Sequence, residues 1–155
     1  MPSSIDARLA ELGITLPEVA APAANYVPWV SAGGLVYVSG QVSRDEAGAV
    51  IKGKLGDGTD AAAGAAAART CGLGLIAVLK TACDGDLGRV KRVVKLTGFV
   101  NSAPDFTDQP KVVNGCSDLM VEVFGDRGRH ARSAIGVAGL PLGCAVEVEG
   151  VFEIA

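Results

Sequence analysis

The spacing of hydrophobic positions changes several times along this chain, and each spacing predicts one kind of element. Near the N-terminus, Ser3 or Ser4 can cap a short helix that runs through Leu12 and is closed by Gly13. Residues 17–24, rich in proline and alanine, are typical of an extended lead-in. The chain is therefore predicted to begin with a helix and an extended segment, residues 1–24.

Alternating β-prone positions follow this lead-in. Residues 26–31 and 35–42 flank an Ala-Gly-Gly turn, and a third short run covers residues 49–52 after a polar segment. These runs predict a meander of antiparallel strands. The glycine-rich GKLGDG at residues 53–58 lacks both GxGxxG and the ending of a P-loop, so a plain loop is favoured over phosphate binding.

Two helices are predicted in the middle of the chain. Thr59 or Asp60 is a credible N-cap for a long alanine-rich helix that runs to about Ala82, in which Gly72 and Gly74 indicate close packing. A second helix begins within residues 105–110, with a proline near its first turn, and ends near residue 125. Its apolar positions recur at helical spacing and predict one buried face: Val112, Val113, Cys116, Leu119, Met120, Val123 and Phe124.

Three further strands complete the pattern, at residues 90–101, 131–138 and 144–152. The order of strands, helix, strand, helix and strands predicts an α+β fold with the helices on one face of the sheet. The length of 155 residues and the lack of an internal repeat or linker favour one domain over residues 1–155.

Composition excludes several classes of function. A net charge of −3 gives no electrostatic case for a nucleic-acid or membrane partner. The longest unbroken apolar stretches fall short of the roughly 20 residues of a membrane span, and no signal pattern precedes them. The chain has four cysteines, Cys71, Cys83, Cys116 and Cys144, which form no CxxC pair, and it has one histidine. This pattern favours buried thiols in a reducing cytoplasm over zinc or redox chemistry.

Charged residues near the C-terminus are the strongest candidates for chemistry. Arg132 heads a strand that turns through Leu140-Pro141 into the last strand, and its guanidinium either faces water or holds an anion. Glu147 and Glu149 alternate on the last strand and share one sheet face, either as interacting carboxylates or as a solvated surface. Because the two strands are expected to be neighbours, Arg132 is expected near these carboxylates.

Two other features are weaker. Ser39-Gly40-Gln41 ends an apolar strand, where sites are often built, although a serine-glycine pair at a strand end is more often a turn. His130, the single histidine, is predicted as an exposed or interface residue, with a substrate contact as the alternative.

The order of YVPWV, YVSGQV, VVKLTGFVNSAPDF, an asparagine at position 114, ARSAIGVAGLP and VEVEGV resembles the YjgF/RidA family, also known as L-PSP endoribonuclease-like proteins. The resemblance covers residues 24–154. It implies a chorismate-mutase-like protomer, with a mixed sheet and two main helices on one face. It also implies a homotrimer with ligand clefts between adjacent subunits.

The resemblance also implies an activity, the hydrolysis of 2-imino acids to 2-keto acids and ammonia by a 2-iminoalkanoate deaminase that uses no metal or cofactor. In this interpretation Arg132 grips the substrate carboxylate, Glu147 holds the reacting water and Ser39 lies near that glutamate. Two alternatives stay open: a trimeric protein that binds small carboxylates without turnover, and the endoribonuclease activity of the family's name. The acidic pI of about 5.1 argues against tight RNA binding.

The implied substrate-binding positions include Tyr26, Gly40 and Asn114, with Ala134 where many deaminating members have cysteine. A contact at Ala134 must then come from the backbone. His130 stands where a proline is usual, and residues 105–114 form a longer segment than the typical one. These departures from the family pattern predict a reshaped pocket entrance. The resemblance itself implies a small carboxylate-bearing substrate whose side chain the sequence does not specify.

Overall fold

A five-stranded sheet organises the computed structural model, which describes residues 4–19, 21 and 24–155. The strands are β1 (Trp29–Ala32), β2 (Leu35–Val42), β3 (Lys54–Leu55), β4 (Gly58–Thr59), β5 (Val90–Asn101), β6 (Ala131–Val137) and β7 (Val146–Ile154). The helices are α1 (Ser4–Glu11), α2 (Ala61–Ala82) and α3 (Gln109–Phe124). Ser3 and residues 20, 22 and 23 of the predicted N-terminal segment lie outside the described residues.

The main sheet has the order β1-β2-β7-β5-β6, and β3 and β4 form a separate small pair. All neighbours in the main sheet are antiparallel except β5 and β6, which are parallel. Helices α2 and α3 pack on the same face of this mixed sheet and against each other, while the opposite face is uncovered. The predicted α+β class with two main helices on one face is confirmed.

Local sequence signals account for α2. The Asp60 side chain accepts a hydrogen bond from the Ala63 amide at 2.8 Å and so caps the first turn. A Cβ on Gly72 would lie 2.8 Å from a Leu119 methyl of α3, and one on Gly74 would lie 3.1 Å from the Gln41 amide oxygen. Both glycines therefore allow close packing, as predicted.

Length and composition would also allow α2 to cross a membrane, and it is the one such helix among the described residues. The unbroken apolar runs within it are short, because glycine, threonine and arginine interrupt them. In this fold α2 packs on the sheet beside α3, and 56% of its most apolar window is buried. A buried core helix has the same composition.

The core lies between the helices and the sheet. The predicted apolar face of α3 is buried at every position: Val112, Val113, Cys116, Leu119, Met120, Val123 and Phe124. The predicted state of the cysteines is also confirmed, since all four are free and buried: Cys71, Cys83, Cys116 and Cys144.

The predicted third strand of the meander, residues 49–52, is wrong as a regular strand. Val50 and Lys52 form isolated bridges with Arg44 and Cys144, respectively. The amide of Ile51 donates to the Ser43 carbonyl, whereas the Ile51 carbonyl accepts from the Ala145 amide. The segment divides its backbone hydrogen bonds between two partners, so no continuous ladder forms and β1–β2 is a hairpin.

The expectation that the last two strands are adjacent in the sheet is also wrong. The β6 strand pairs with β5, and β5 separates it from β7. The connection from β6 to β7 crosses the end of β5, where the Asn101 backbone and side-chain amides donate to the carbonyls of Ala145 and Cys144. Leu142, with a φ of 59°, reverses the chain within this crossing. A turn containing proline therefore leads to a crossover rather than to a hairpin.

Candidate functional site: two separate half-sites

Arg132 lies on the helix-covered side of the sheet, at the edge strand β6. Its Nη1 donates to Asn114 Oδ1 at 2.8 Å and to Ser117 Oγ at 3.2 Å, both on α3. The side chain is half-buried, and no carboxylate of the described residues lies within ion-pairing distance of it. These two bonds use both hydrogens of Nη1. An anion can therefore bind at the other edge of the guanidinium, which Nε and Nη2 form.

Ala134 shares the face of Arg132, two residues further along β6. It is half-buried and packs against the hydrophobic core. Its methyl group supplies no polar atom. Asn114, Arg132 and Ala134, three of the predicted site residues, therefore lie together on one side of the sheet.

His130 is connected to Arg132 through Ser117, a residue that the sequence did not single out. Its Nε2 lies 2.9 Å from Ser117 Oγ, and its Nδ1 lies 2.6 Å from the Gly128 carbonyl oxygen. Burial lowers the pKa of His130 from its usual 6.5, the bond to Gly128 opposes this effect, and the charge of Arg132 adds to it. Ser117 follows Asn114 by three residues, so helical spacing alone places the two side chains on the same face of α3. We call Asn114, Ser117, His130, Arg132 and Ala134 the arginine half-site.

Glu147 lies on the uncovered face of the sheet. Its neighbours Val146 and Val148 on β7 are buried, so Glu147 and Glu149 point away from the helices. Burial raises the pKa of Glu147 above its usual 4.5, and the charge of Glu149 raises it further. Glu149 itself is exposed, so the pair combines a half-buried carboxylate with a solvated one.

Of the three residues predicted near Glu147, Gly40 lies directly against it, whereas Ser39 lies on β2 and Tyr26 precedes β1. A Cβ on Gly40 would overlap the Glu147 carboxylate, so this position requires glycine for the observed approach. Ser39 donates its hydroxyl hydrogen to the Val27 carbonyl at 2.8 Å, which ties the residue after Tyr26 to the middle of β2. The Tyr26 side chain is exposed. We call Tyr26, Ser39, Gly40 and Glu147 the glutamate half-site.

The two half-sites do not meet within one chain. Arg132 is in register with Leu96 of β5, whereas Glu147 is in register with Phe99 on the other side of β5. This places them about 10 Å apart along the strands and about 10 Å apart across them. They also point to opposite faces of the sheet. The expectation that Arg132 lies near the carboxylates of β7 is therefore wrong for the single chain.

A groove in the described part of the chain lies away from both half-sites. It has a volume of about 820 Å³ and runs between residues 12–19, residues 44–48 and α2. Neither Arg132 nor Glu147 lines it. The groove therefore does not account for these residues.

The described residues contain no cluster of three or more histidine, cysteine or acidic side chains that could hold a metal ion. Burial raises the pKa of Cys116 to about 12 although Arg132 opposes the shift, so this thiol stays protonated at neutral pH.

The glycine-rich loop at residues 53–58 uses its lysine for internal hydrogen bonds. Lys54 donates to Asn101 Oδ1 and to the Ala138 carbonyl.

Comparison with known families assigns this chain to one of them. Residues 6–152 match the model of a family described as YjgF/chorismate mutase-like, with endoribonuclease as a candidate activity. The chain belongs to this YjgF family. The resemblance inferred from the sequence motifs is confirmed at this level.

Relatives of known sequence or structure support the same assignment. Protein TCP17 of Trypanosoma cruzi is 51% identical over 151 residues, which cover 97% of this chain and 94% of that protein. The crystal structure of Atu1372 from Agrobacterium tumefaciens, a protein of unknown function, has a TM-score of 0.90 at 44% identity, and the match covers 97% of this chain and 92% of that one. A candidate endoribonuclease from Shewanella oneidensis has a TM-score of 0.92 at 36% identity, covering 97% and 99%.

Proposed function

We propose that this YjgF-family protein hydrolyses 2-imino acids to 2-keto acids and ammonia at sites that adjacent subunits complete. One observation carries the proposal: a half-buried guanidinium, held at Nη1 by Asn114 and Ser117, has no carboxylate partner among the described residues. A fixed guanidinium with an open edge suits a substrate carboxylate, because the two groups form parallel charge-assisted hydrogen bonds.

The chemistry requires an ordered water and a base. Arg132 binds the carboxylate through Nε and Nη2, which sets the position of the adjacent imine carbon. Glu147 accepts a proton from a water molecule as its oxygen bonds to that carbon. That proton passes to nitrogen, which gives a carbinolamine. Glu147 then moves the remaining hydroxyl proton to nitrogen, the carbon–nitrogen bond breaks, and ammonia leaves as the keto group forms. A pKa of Glu147 above the usual value makes the carboxylate a stronger base for this step.

In this proposal a second subunit brings its Glu147 close to Arg132 of the first. The two half-sites lie on opposite faces of one sheet, so a site that uses both must join the arginine half-site of one subunit to the glutamate half-site of another. The uncovered sheet face exposes three large apolar side chains suited to such contacts, Val30, Tyr37 and Ile135. We therefore propose a homotrimer, and a reducing compartment suits its four free thiols.

The direct test is the rate of keto-acid release from freshly generated 2-aminoacrylate and from imines of larger amino acids. The expected result is acceleration by the native protein and its loss in both Arg132→Ala and Glu147→Ala. Glu153→Gln is the matched control, since it removes a carboxylate further along the same face of β7. If the folded native protein accelerates none of these reactions, deamination is the wrong activity.

Ala134 favours a second candidate, a protein that binds small carboxylates without turnover. Its methyl group offers no polar atom to the reacting group, although the Arg132 edge remains complete. Calorimetry with pyruvate would then show saturable binding that Arg132→Ala removes, without any imine hydrolysis. RNA cleavage has only the family description behind it. Activity on RNA that survives Arg132→Ala at full rate points to a contaminating nuclease.

A further inference from the structure

The histidine of this chain is linked to Arg132 by a directional chain of hydrogen bonds. A carbonyl oxygen can only accept, so His130 Nδ1, at 2.6 Å from the Gly128 oxygen, carries a hydrogen. In the neutral ring Nε2 then has a lone pair, and Ser117 must donate its single hydroxyl hydrogen to it at 2.9 Å. The Ser117 oxygen is thereby left to accept from Arg132 Nη1, at 3.2 Å.

We infer that His130 and Ser117 are positioning residues that hold the Arg132 guanidinium ready for a substrate carboxylate. The inference rests on the proposed role of Arg132 in binding that carboxylate. Without a fixed acceptor, the Ser117 hydroxyl can rotate its hydrogen toward the guanidinium, where two donors would oppose each other. His130 prevents this because its lone pair takes the hydrogen. Asn114 then holds one hydrogen of Nη1 and Ser117 the other, and the Nε–Nη2 edge stays free.

Surrounding charges leave this arrangement intact at neutral pH. Arg132 is the charged side chain whose field reaches the ring. In the preceding turn, Arg129 pairs with Asp126 at 3.5 Å, and Arg127 donates to the Val90 carbonyl. Burial keeps the pKa of His130 below 6.5, so the ring is neutral at pH 7.5 and its Nε2 accepts.

A ligand-free NMR measurement tests the inference without any assumption about turnover. Because the chain has one histidine, its ring nitrogen signals need no assignment. The expected spectrum at pH 7.5 shows the Nδ1–H form of His130 and slow rotation of the Arg132 guanidinium about its Nε–Cζ bond. Ser117→Ala and His130→Leu should each speed that rotation about tenfold, whereas His130→Gln, which keeps an acceptor near the Nε2 position, should largely preserve it.

Kinetics with the best imine then connects the ordering to function. Ser117→Ala and His130→Leu should each raise KM about two- to tenfold with little change in kcat, since the lost interaction affects carboxylate binding. The double variant should match Ser117→Ala alone, because both residues act through one chain of hydrogen bonds. Thr81→Val is the hydroxyl-deletion control, since Thr81 Oγ1 donates only within α2.

Three results would overturn the inference: an Nε2–H form of the ring, additive effects in the double variant, or His130→Gln as impaired as His130→Leu. The melting temperature of each variant separates loss of ordering from loss of fold. Guanidinium ordering that depends on His130, in a protein without imine turnover, supports the positioning role and rejects deamination. Turnover that depends on Arg132 but not on His130 or Ser117 supports deamination and rejects the positioning role.

Discussion

At the scale of single residues, Arg132 combines an anchored guanidinium nitrogen with an open edge on the same group. Its Nη1 anchors the guanidinium to α3, and its opposite edge faces away from that helix. Lysine has one charged nitrogen, so it cannot hold Asn114 and Ser117 and still present a flat fork to a carboxylate. The geometry thus depends on the guanidinium rather than on positive charge alone.

Arg132→Lys should therefore raise KM for 2-imino acids at least about tenfold, because the charge survives but the parallel pair of hydrogen bonds does not. Steady-state kinetics of keto-acid release measures the change. Arg129→Lys, an exposed arginine in the preceding turn, is the matched control and should leave KM unaltered. An Arg132→Lys variant with native KM would mean that the substrate needs only a positive charge.

The Glu147–Glu149 pair predicts a particular pH dependence. Activity that needs ionised Glu147 rises as pH passes upward through its pKa, which burial and then Glu149 hold above 4.5. Glu149→Gln removes one of the two raising effects, so the pKa of Glu147 falls and the acid limb of kcat moves to lower pH. The profile is measured from pH 4 to 8 under saturating imine.

Glu153→Gln is the control for this shift, since Glu153 lies further along the same face of β7. Its acid limb should stay close to that of the native protein. An acid limb that Glu149→Gln leaves in place, or moves to higher pH, would mean that another group controls the reaction.

At the scale of elements, the close approach of α2 and α3 supports the arginine half-site, since Asn114 and Ser117 both project from α3. Gly115 lies between them in sequence, and a Cβ there would come within 2.7 Å of the Ala65 carbonyl carbon of α2. Because the obstacle is backbone rather than a flexible side chain, the helices must move apart to accept a methyl group.

Gly115→Ala should lower the free energy of unfolding by about 1–3 kcal/mol, despite the better helix propensity of alanine. Urea denaturation measures the change. Gly139→Ala provides the comparison, because a Cβ at that position meets nothing within 4 Å. A Gly115→Ala variant as stable as Gly139→Ala would show that the interface between α2 and α3 has room for the methyl group.

At the scale of the whole molecule, the separation of the half-sites makes subunit mixing informative. Arg132→Ala keeps an intact glutamate half-site, and Glu147→Ala keeps an intact arginine half-site. If adjacent subunits build each site, a trimer assembled from both variants contains some sites in which the two intact halves meet. Random assembly in equal amounts should recover about a quarter of native activity, because each half of a site is intact in half of the subunits.

The measurement is imine hydrolysis after the two inactive variants are unfolded, mixed and refolded together. Each variant refolded alone is the control and should remain inactive. Light scattering of the same samples reports the size of the assembly. Mixed trimers without activity would mean that each chain supplies both residues to its own site.

How much followed from sequence depends on the range of the interactions. The Asp60 cap, the buried face of α3 and the β5 strand were predictable, because each depends on neighbours a few residues away. Residues 49–52 were not, because their backbone groups divide between two distant segments. Ser117 also escaped sequence analysis, since nothing in the helical pattern of α3 specifies that His130 accepts from it.

The sequence by itself determined the kinds of element, their order and the family motifs, including Arg132, Ser39 and Glu147 as candidates. Only the tertiary structure decided that β6 joins β5 rather than β7, and so that Arg132 and Glu147 occupy opposite faces. Alternation along a strand defines which residues share a face of that strand. Which strands become neighbours depends on the packing of the entire sheet against α2 and α3, which no local pattern of residues records.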